Sequence, residues 1–358
     1  LDFKTYKEKN KTVYQWEAKD LPIISSEEFS PSSSKVLPHI NYYIKSYESS
    51  GKKINMLNNS NDLYQYYKNF IENLNTVEDK ALKDFTLNLI KNASTEKEKV
   101  QLIFNWVQNE IKYVAFESGY EGFIPRQASL VFERRFADCK DMSSLITAMA
   151  KYAGITNVYL TWIGTNDLPY SYSELPSPAV DNHMIATYIT NKDTLFLDAT
   201  NAFTKFGLPS QFIQGKEALI SIDNQPVIQK VPKLHYKENK SIDVTNIKLQ
   251  NGILYGNSRV ELHNYLRSDI VSKIKYNQVK DREKEFNEYF TKGNNTFKLF
   301  NIKETNFEDK NEPYLIDFDF TVSNYTIEID NEIYLNLMLN STFENKSIDL
   351  NRKNDLDF

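Results

Sequence analysis

The sequence is poor in the residues that build disulfides, metal sites and phosphate-binding loops. It has one cysteine among 358 residues, which excludes an internal disulfide and a thiolate-rich metal site. Three of its four histidines, His39, His235 and His263, have no second ligand at a metal-binding spacing. Glycine is scarce, at 10 residues, and none of it forms a phosphate-binding motif. The sequence therefore predicts neither a metal site nor a nucleotide-phosphate site.

Charge and hydropathy disfavour two further classes of protein. The net charge is −5 and the lysines are interspersed with acids, so the sequence predicts no nucleic-acid partner, which needs a concentrated basic surface. No apolar run approaches the roughly 20 residues of a membrane helix, so no membrane span is predicted. Residues 1–4 carry neither a start methionine nor an apolar signal core. We expect any targeting segment to lie outside this sequence.

Changes in hydrophobic periodicity divide the sequence into four parts. Residues 1–50 have the short alternating segments of the end of a β domain, followed by a linker. Residues 51–225 mix helical and strand patterns and form the predicted α+β core. Residues 226–343 alternate strictly in several places and predict a β-rich, sandwich-like domain. Residues 344–358 are polar and predict a loosely held tail.

Local patterns predict several elements within these parts. Asp62 is a candidate N-cap for a helix that begins the core. Residues 242–249 and 253–262 alternate around a turn at residues 250–252, which predicts a hairpin. One helical stretch is predicted at about residues 268–290, and strands near residues 296–304, 314–322 and 332–340.

The single cysteine lies at the start of a predicted amphipathic helix. Asp138 is its candidate N-cap, and Gly154 stands where a helix of this length ends in a left-handed residue. A helix N-terminus carries partial positive charge and free amide hydrogens, which favour a thiolate and can bind the oxyanion of an acyl intermediate. Lone buried cysteines are common, so position alone leaves a structural role for Cys139 equally open.

A predicted hairpin brings a histidine and an aspartate together. His183 begins an apolar strand, residues 190–193 form a turn, and Asp198 ends the next strand. A tight turn places Asp198 opposite His183 or within a residue or two of it. Asp198 could then accept the imidazole N–H and stabilise an imidazolium. The alternative is a histidine at a strand edge and an aspartate at a turn, each with a structural role.

Taken together, these residues resemble the transglutaminase-like branch of the papain-type cysteine enzymes, in which cysteine, histidine and aspartate follow in this order. The likeness is to bacterial transglutaminase-like proteins with flanking β domains of unknown function. The matching segments are residues 106–115 (WVQNEIKYVA), 122–128 (GFIPRQA), 135–141 (RFADCKD), 182–183 (NH) and 197–200 (LDAT). One departure is Ala137, where the group has glycine. If that position needs positive φ, alanine is strained there.

The resemblance implies a papain-like, transglutaminase-like core in which the cysteine helix packs on an antiparallel sheet. It implies that Cys139 is the nucleophile, His183 the general base and then acid, and Asp198 the group that orients His183. The backbone N–H of Cys139 would supply one oxyanion donor. Tyr113 or Gln108 could supply the second, although packing or surface roles are alternatives for both. Asn182 could help to position His183 or could shape the strand.

The predicted function is acyl transfer through a thioester, more specifically hydrolysis of peptide or amide bonds with a peptide or protein substrate. This chemistry needs no cofactor. Two alternatives remain: an amine-accepting, crosslinking transglutaminase, and a catalytically silent scaffold whose β domains bind a protein or glycan partner. The resemblance also implies localisation in the bacterial periplasm or cell envelope.

Overall fold

The computed structural model describes residues 2–21, 27, 30–115, 118–340 and 351–353. The chain divides into two units, residues 1–40 with 348–358, and residues 41–347. The predicted polar tail, residues 344–358, lies outside the described residues except for 351–353. The smaller unit contains the antiparallel pair β1 (Asp2–Glu8) and β2 (Lys11–Glu17), and the helix α1 (Ser33–Val36).

The larger unit begins with an α+β part, as the sequence predicts. Its elements in chain order are β3 (Ser46–Ser49), β4 (Lys52–Asn55), α2 (Ser60–Ile71), α3 (Lys80–Leu89), α4 (Glu96–Glu110), β5 (Lys112–Tyr113), α5 (Ala128–Arg134), β6 (Phe136–Ala137), α6 (Cys139–Tyr152), β7 (Val158–Ile163), β8 (His183–Ile189), β9 (Thr194–Leu197), β10 (Glu217–Ile222) and β11 (Gln225–Lys230). The N-cap of α2 is Asn59, whose side chain accepts from the Asp62 amide, so the prediction of Asp62 as the cap was wrong.

An antiparallel sheet positions the cysteine helix. Five of the described strands form it, in the order β11-β10-β7-β8-β9. Helix α6 packs on β7 and β8 and is buried along most of its length, among α3, α4 and α5. The strands are covered on both faces: Ala186 and Tyr188 belong to the core around α6, while Ile185 and Phe196 belong to a second apolar cluster. Double coverage explains why β8 is apolar almost throughout.

The remainder of the larger unit is rich in strands. Its elements are β12 (Ser241–Gln250), β13 (Ile253–Leu262), α7 (Asn264–Ile274), α8 (Val279–Tyr289), β14 (Lys298–Thr305), β15 (Tyr314–Ser323), β16 (Thr326–Ile329) and β17 (Glu332–Leu335). The predicted hairpin at residues 242–262 is confirmed as β12 and β13. The predicted single helical stretch is two helices, and β16 was not predicted.

The sandwich-like arrangement predicted for residues 226–343 is corrected by the structure. Within the described residues, β12-β13-β15-β14 form one four-stranded sheet, and β16 and β17 form a separate pair. Apolar side chains of α7 and α8, such as Ile270 and Phe286, share a core with Ile316 and Phe320 of β15. Helices therefore cover the face that a second sheet would have covered. The boundary between residues 225 and 226 stays a prediction.

Candidate active site

Cys139 is the first residue of α6, and its half-buried side chain faces a cleft. The predicted N-cap is confirmed: Asp138 Oδ1 accepts from the Asp141 amide at 3.2 Å, and Asp141 Oδ2 accepts from the Asp138 amide at 3.5 Å. This capping box fixes the first turn of a 14-residue helix. Gly154 ends it with a φ of +76°, as predicted. The helix N-terminus thus places partial positive charge beside the sulfur.

The loop before Cys139 is not strained at Ala137. That residue lies in β6, paired with Tyr113 of β5, and does not have positive φ. The left-handed residue of this segment is Arg135, with a φ of +61°, which ends α5. The departure from glycine at Ala137 therefore carries no backbone penalty.

His183 and Asp198 form a buried pair on neighbouring strands. His183 Nε2 lies 3.0 Å from Asp198 Oδ2, and the two side chains are 7% and 1% exposed. Ala186 pairs with Leu197, so continuing the register places Asp198 opposite Ile185, two residues from His183. This is the placement that the hairpin prediction required. Asp198 Oδ1 accepts from the Thr200 amide and hydroxyl at 3.1 and 2.6 Å, which fixes the carboxylate.

Burial and neighbouring charges determine the protonation of this pair. Burial disfavours an imidazolium at His183, but the charge and hydrogen bond of Asp198, together with a hydrogen bond and charge from Cys139, raise the pKa of His183 to about 10. Burial likewise disfavours ionisation of Asp198, and the His183 charge and hydrogen bond outweigh it, lowering the pKa of Asp198 to about 2. At neutral pH the pair is therefore an imidazolium and a carboxylate. Because Nε2 binds Asp198, Nδ1 is the ring nitrogen left for Cys139.

Two side chains that the sequence analysis did not single out hold His183 against α6. The buried Ser143 hydroxyl lies one helical turn after Cys139, 2.8 Å from the Cys139 carbonyl oxygen and 3.1 Å from that of Met184. It therefore ties the helix to the residue that follows His183. The Phe212 ring packs against the imidazole at 5.3 Å between centroids, with the planes at 73°. Together they restrict how far His183 can move from the sulfur.

Buried ion pairs fix the chain on the other side of Cys139. The Lys140 ammonium binds Asp138 Oδ2, and both side chains are buried. Arg126 donates from its backbone amide and from Nη1 to the two oxygens of the fully buried Asp141, each at 2.7 Å. Its Nη2 binds the exposed Glu121 at 3.0 Å. These bonds attach the segment that contains residues 119–126 to the first turn of α6.

The cleft at this site has a volume of about 260 Å³. It is lined by Tyr67, Gly119, Gly122, Phe123, Asp138, Cys139, Lys140, Trp162, Pro178, Asp181, Asn182, His183 and Met184. The volume is near the lower end of small-molecule sites, about 300 Å³. A cleft of this size accepts a short segment of a substrate.

The structure does not bring every predicted site residue to the cleft. Gln108 is buried elsewhere, where its amide donates to the carbonyl oxygens of Asn201 and Thr204 and accepts from Lys310. Its side chain is thus unavailable as an oxyanion donor. Tyr113 is 42% exposed and does not line the cleft.

Asn182 lines the cleft, but its side chain is bound to Thr165. Its Oδ1 accepts from the Thr165 amide at 2.8 Å, and its Nδ2 donates to the Thr165 hydroxyl at 2.9 Å. These bonds fix the start of β8. The partners of the His183 imidazole are Asp198 and Cys139. The Asn182 side chain is therefore bonded to the chain before β8, and the Gln108 side chain lies away from the cleft.

An acidic side chain that was not predicted from the sequence, Asp181, also lines the cleft. Asp181 lies two residues before His183, and its Oδ2 and Oδ1 accept hydrogen bonds from Tyr67 and Tyr172 at 2.7 and 2.6 Å. Burial is the main cause that raises the pKa of Asp181 to about 7, against the opposing effect of both hydrogen bonds and of Lys216. The one sequence signal was its position next to Asn182 and His183.

Across the described part of the chain, no three side chains of His, Cys, Asp or Glu are grouped as a metal site would require. Separately, none of the helices in the described ranges is long and apolar enough to cross a membrane.

The chain is similar to one family model and to one solved structure. A crystal structure from Parabacteroides distasonis, provisionally described as a protease, aligns with a TM-score of 0.45 and 9% identity, covering 90% of this chain and 62% of that one. The chain thus spans less than two thirds of that protein's length. No curated protein sequence matches. The model of the transglutaminase-like superfamily matches residues 83–189, which include Cys139 and His183, while Asp198 lies beyond its end. Residues 83–189 are therefore a transglutaminase-like superfamily domain.

Proposed function

We propose that this protein is a cysteine acyl-transfer enzyme that hydrolyses peptide or amide bonds through a thioester at Cys139. The observation that carries the proposal is the juxtaposition of the Cys139 side chain, at a helix N-terminus, with the buried His183–Asp198 pair. An imidazolium beside the sulfur and the positive end of α6 both stabilise negative charge there. The transglutaminase-like domain assignment supports the same chemistry.

In the proposed reaction the Cys139 sulfur attacks a carbonyl carbon and forms a tetrahedral intermediate. His183 then gives its proton to the departing amine, and the C–N bond breaks to leave a thioester. Neutral His183 next takes a proton from water as the water attacks the thioester, and the acid product leaves. Asp198 keeps the imidazole oriented and stabilises its charged form at both stages.

The backbone amide of Cys139 is a suitable first oxyanion donor. It belongs to the first turn of α6, and no acceptor among the described residues binds it. An oxyanion formed next to the sulfur could therefore accept its hydrogen and benefit from the helix dipole.

The first test is alkylation of Cys139 by iodoacetamide at different pH values. We expect the wild-type thiol to react near pH 6 and His183→Ala to lose that reactivity. A wild-type thiol that reacts only at about pH 8–9, like an ordinary cysteine, would contradict the proposal.

The second test is turnover of a peptide library by wild type and Cys139→Ala, with and without an added primary amine. Cleavage that depends on Cys139 and is unchanged by the amine supports hydrolysis. Incorporation of the amine into the peptide identifies a crosslinking transglutaminase. A reactive thiol with no turnover of any peptide favours the scaffold alternative. Residence in the bacterial envelope is proposed from the family resemblance alone.

A further inference from the structure

Asp181 differs from the other carboxylates around the cleft in its partners. Asp138 is paired with Lys140, Asp141 with Arg126, and Asp198 with His183. Over the described residues, no cationic side chain forms an ion pair with Asp181. A carboxylate withdrawn from water is costly unless a cation compensates it. Lys216 acts on Asp181 through its charge but forms no ion pair with it, so this position is suited to a further cation.

The hydrogen bonds of Asp181 leave room for such a cation. A carboxylate has about four acceptor positions, and two tyrosine hydroxyls fill two of them. The Tyr172 hydroxyl also lies 3.0 Å from the Trp162 carbonyl oxygen. That hydroxyl has one hydrogen but lies near two acceptors, the Trp162 carbonyl oxygen and Asp181 Oδ1. If Asp181 is protonated, it can donate to the Tyr172 oxygen while the Tyr172 hydroxyl donates to Trp162, so that each group has a partner. An incoming cation would displace the proton and take its place, which agrees with the pKa of about 7.

The surroundings of Asp181 also suit an ammonium group. Rings of Tyr67, Trp162 and Phe123 line the same cleft, and aromatic faces attract cations. Asp181 has extended backbone and lies two residues from His183, so at most about 7 Å of chain separates them. A group bound to Asp181 would therefore lie within about two residues of the carbonyl that reacts at Cys139.

The other charged and titratable groups near Asp181 come from five parts of the chain. Tyr67 belongs to α2, and Tyr172 to the segment between β7 and β8. Lys216 precedes β10, and its ammonium donates to the carbonyl oxygens of Leu168 and Tyr170. Asp138, Cys139 and Lys140 at the start of α6, and His183 of β8, line the cleft. Asp138 is paired with Lys140, and Asp198 with His183. Asp181 is therefore the carboxylate of the cleft that could bind a cation of the substrate.

We propose that Asp181 is a specificity-determining residue that binds a primary ammonium group of the substrate, next to the carbonyl attacked by Cys139. The substrates of this class are peptides or amides with a free amino group within about two residues of the scissile bond. This inference rests on the proposed acyl-transfer function. It adds to that function a preference for positive charge.

The test uses thiosulfonate reagents that differ in charge and need no known substrate. The Cys139 sulfur attacks the reagent, an S–S bond forms to the reagent's alkyl group, and methanesulfinate leaves. We would measure the rate at which Cys139 reacts with three methanethiosulfonates: the cationic 2-(trimethylammonium)ethyl, the anionic 2-sulfonatoethyl and the neutral methyl reagent. Each rate is divided by the rate of the same reagent with 2-mercaptoethanol, which removes differences in intrinsic reactivity. In Asp181→Asn, we expect the cationic-to-anionic ratio to fall about tenfold, because one negative charge is removed from a partly screened site.

Two controls separate charge recognition from a structural effect. Asp223→Asn removes the same charge at the turn between β10 and β11, where φ is +48° and asparagine is tolerated, and should keep the wild-type ratio. The neutral methyl reagent measures any general change of Cys139 reactivity in Asp181→Asn, and the rates of the two charged reagents are compared with it. An equal loss of rate with all three reagents would assign Asp181 to positioning of His183 and would overturn the inference.

The wild-type protein provides a measurement that does not depend on a variant's folding. The trimethylammonium charge does not titrate, and His183 stays protonated to about pH 10. We therefore expect the cationic-to-anionic ratio to rise as pH increases through about 7, where Asp181 ionises. A ratio that does not change with pH would overturn the inference while leaving a reactive Cys139 and the proposed function intact. A wild-type Cys139 that reacts with no reagent would overturn both.

Peptides then identify where the amino group lies. Pairs that differ only in lysine against Nε-acetyllysine, or in a free against an acetylated N-terminus, would be compared on each side of the scissile bond. We expect kcat/KM to favour the amine on one side by about tenfold in wild type and equally in Asp223→Asn. The preference should disappear in Asp181→Asn. Equal kcat/KM for both members of every pair would contradict the inference.

Discussion

The charge on His183 depends mainly on one neighbouring residue. Asp198 supplies both a charge and a hydrogen bond at 3.0 Å, and these oppose the burial of the imidazole. Without Asp198, only the hydrogen bond and charge of Cys139 would oppose burial, and the pKa of His183 would fall. Less of the imidazole would then be charged, and the sulfur would have less positive charge beside it.

We therefore expect Asp198→Asn to reduce the rate of Cys139 alkylation at pH 6 by about tenfold or more. In wild type the imidazolium persists until the pH approaches about 10, so its charge stays beside the sulfur between about pH 5 and 9. In the variant the rate should rise with pH across this range, as for an ordinary thiol. Asp193→Asn, which removes a charge in the turn after β8, is the matched control. A wild-type pH profile in Asp198→Asn would contradict the assignment.

At the scale of elements, the start of α6 combines a capping box with a buried ion pair. Asp141 is fully buried and serves both, since it binds the Asp138 amide and Arg126. Arg126 also reaches the exposed Glu121, whose side chain is 65% exposed. The two ion pairs of Arg126 should therefore contribute very differently to stability, because solvent screens the outer one.

Arg126→Ala leaves the buried Asp141 without its cation, and we expect it to lower the free energy of unfolding by about 3 kcal/mol. Glu121→Gln removes the exposed partner and should cost less than about 1 kcal/mol. Urea denaturation followed by tryptophan fluorescence would measure both. Equal costs for the two variants would show that Asp141 does not depend on Arg126.

Elements that local patterns specify were predictable, and those fixed by distant contacts were not. The start of α6 follows from Asp138 and Asp141, three residues apart, and the β8–β9 pair follows from alternation around a short turn. The break between α7 and α8 has no glycine or proline to mark it. Asp181 could not be predicted as a site residue, because its partner Tyr67 lies 114 residues earlier in the chain.

At the scale of the larger unit, the strand-rich part holds the segment that follows Asp198. The Tyr265 hydroxyl of α7 donates to the Pro209 carbonyl oxygen at 2.7 Å, and the Ser268 hydroxyl donates to that of Phe203 at 3.1 Å. From the other side, Gln108 of α4 binds the carbonyl oxygens of Asn201 and Thr204. The segment that contains residues 199–210 is thus held between the two parts of the unit.

We expect Tyr265→Phe to lower the free energy of unfolding by about 1–3 kcal/mol, because it leaves the Pro209 carbonyl oxygen without its donor. Cys139 alkylation at pH 6 should also slow, since Asp198 directly precedes the segment that is released. Tyr255→Phe, a change at a side chain 43% exposed on β13, is the control and should alter neither quantity. A Tyr265→Phe protein with wild-type stability and reactivity would show that the hydrogen bond is dispensable.

The single cysteine has a consequence for oxidation. If peroxide converts the Cys139 sulfur to a sulfenic acid, no second cysteine in this sequence can close a protective disulfide with it. Oxidants attack thiolates, and the positive end of α6 and the charge on His183 both lie beside this sulfur. Lasting activity would then depend on thiol reductants in the surroundings, and each oxidation event would be visible as a mass increase at one residue.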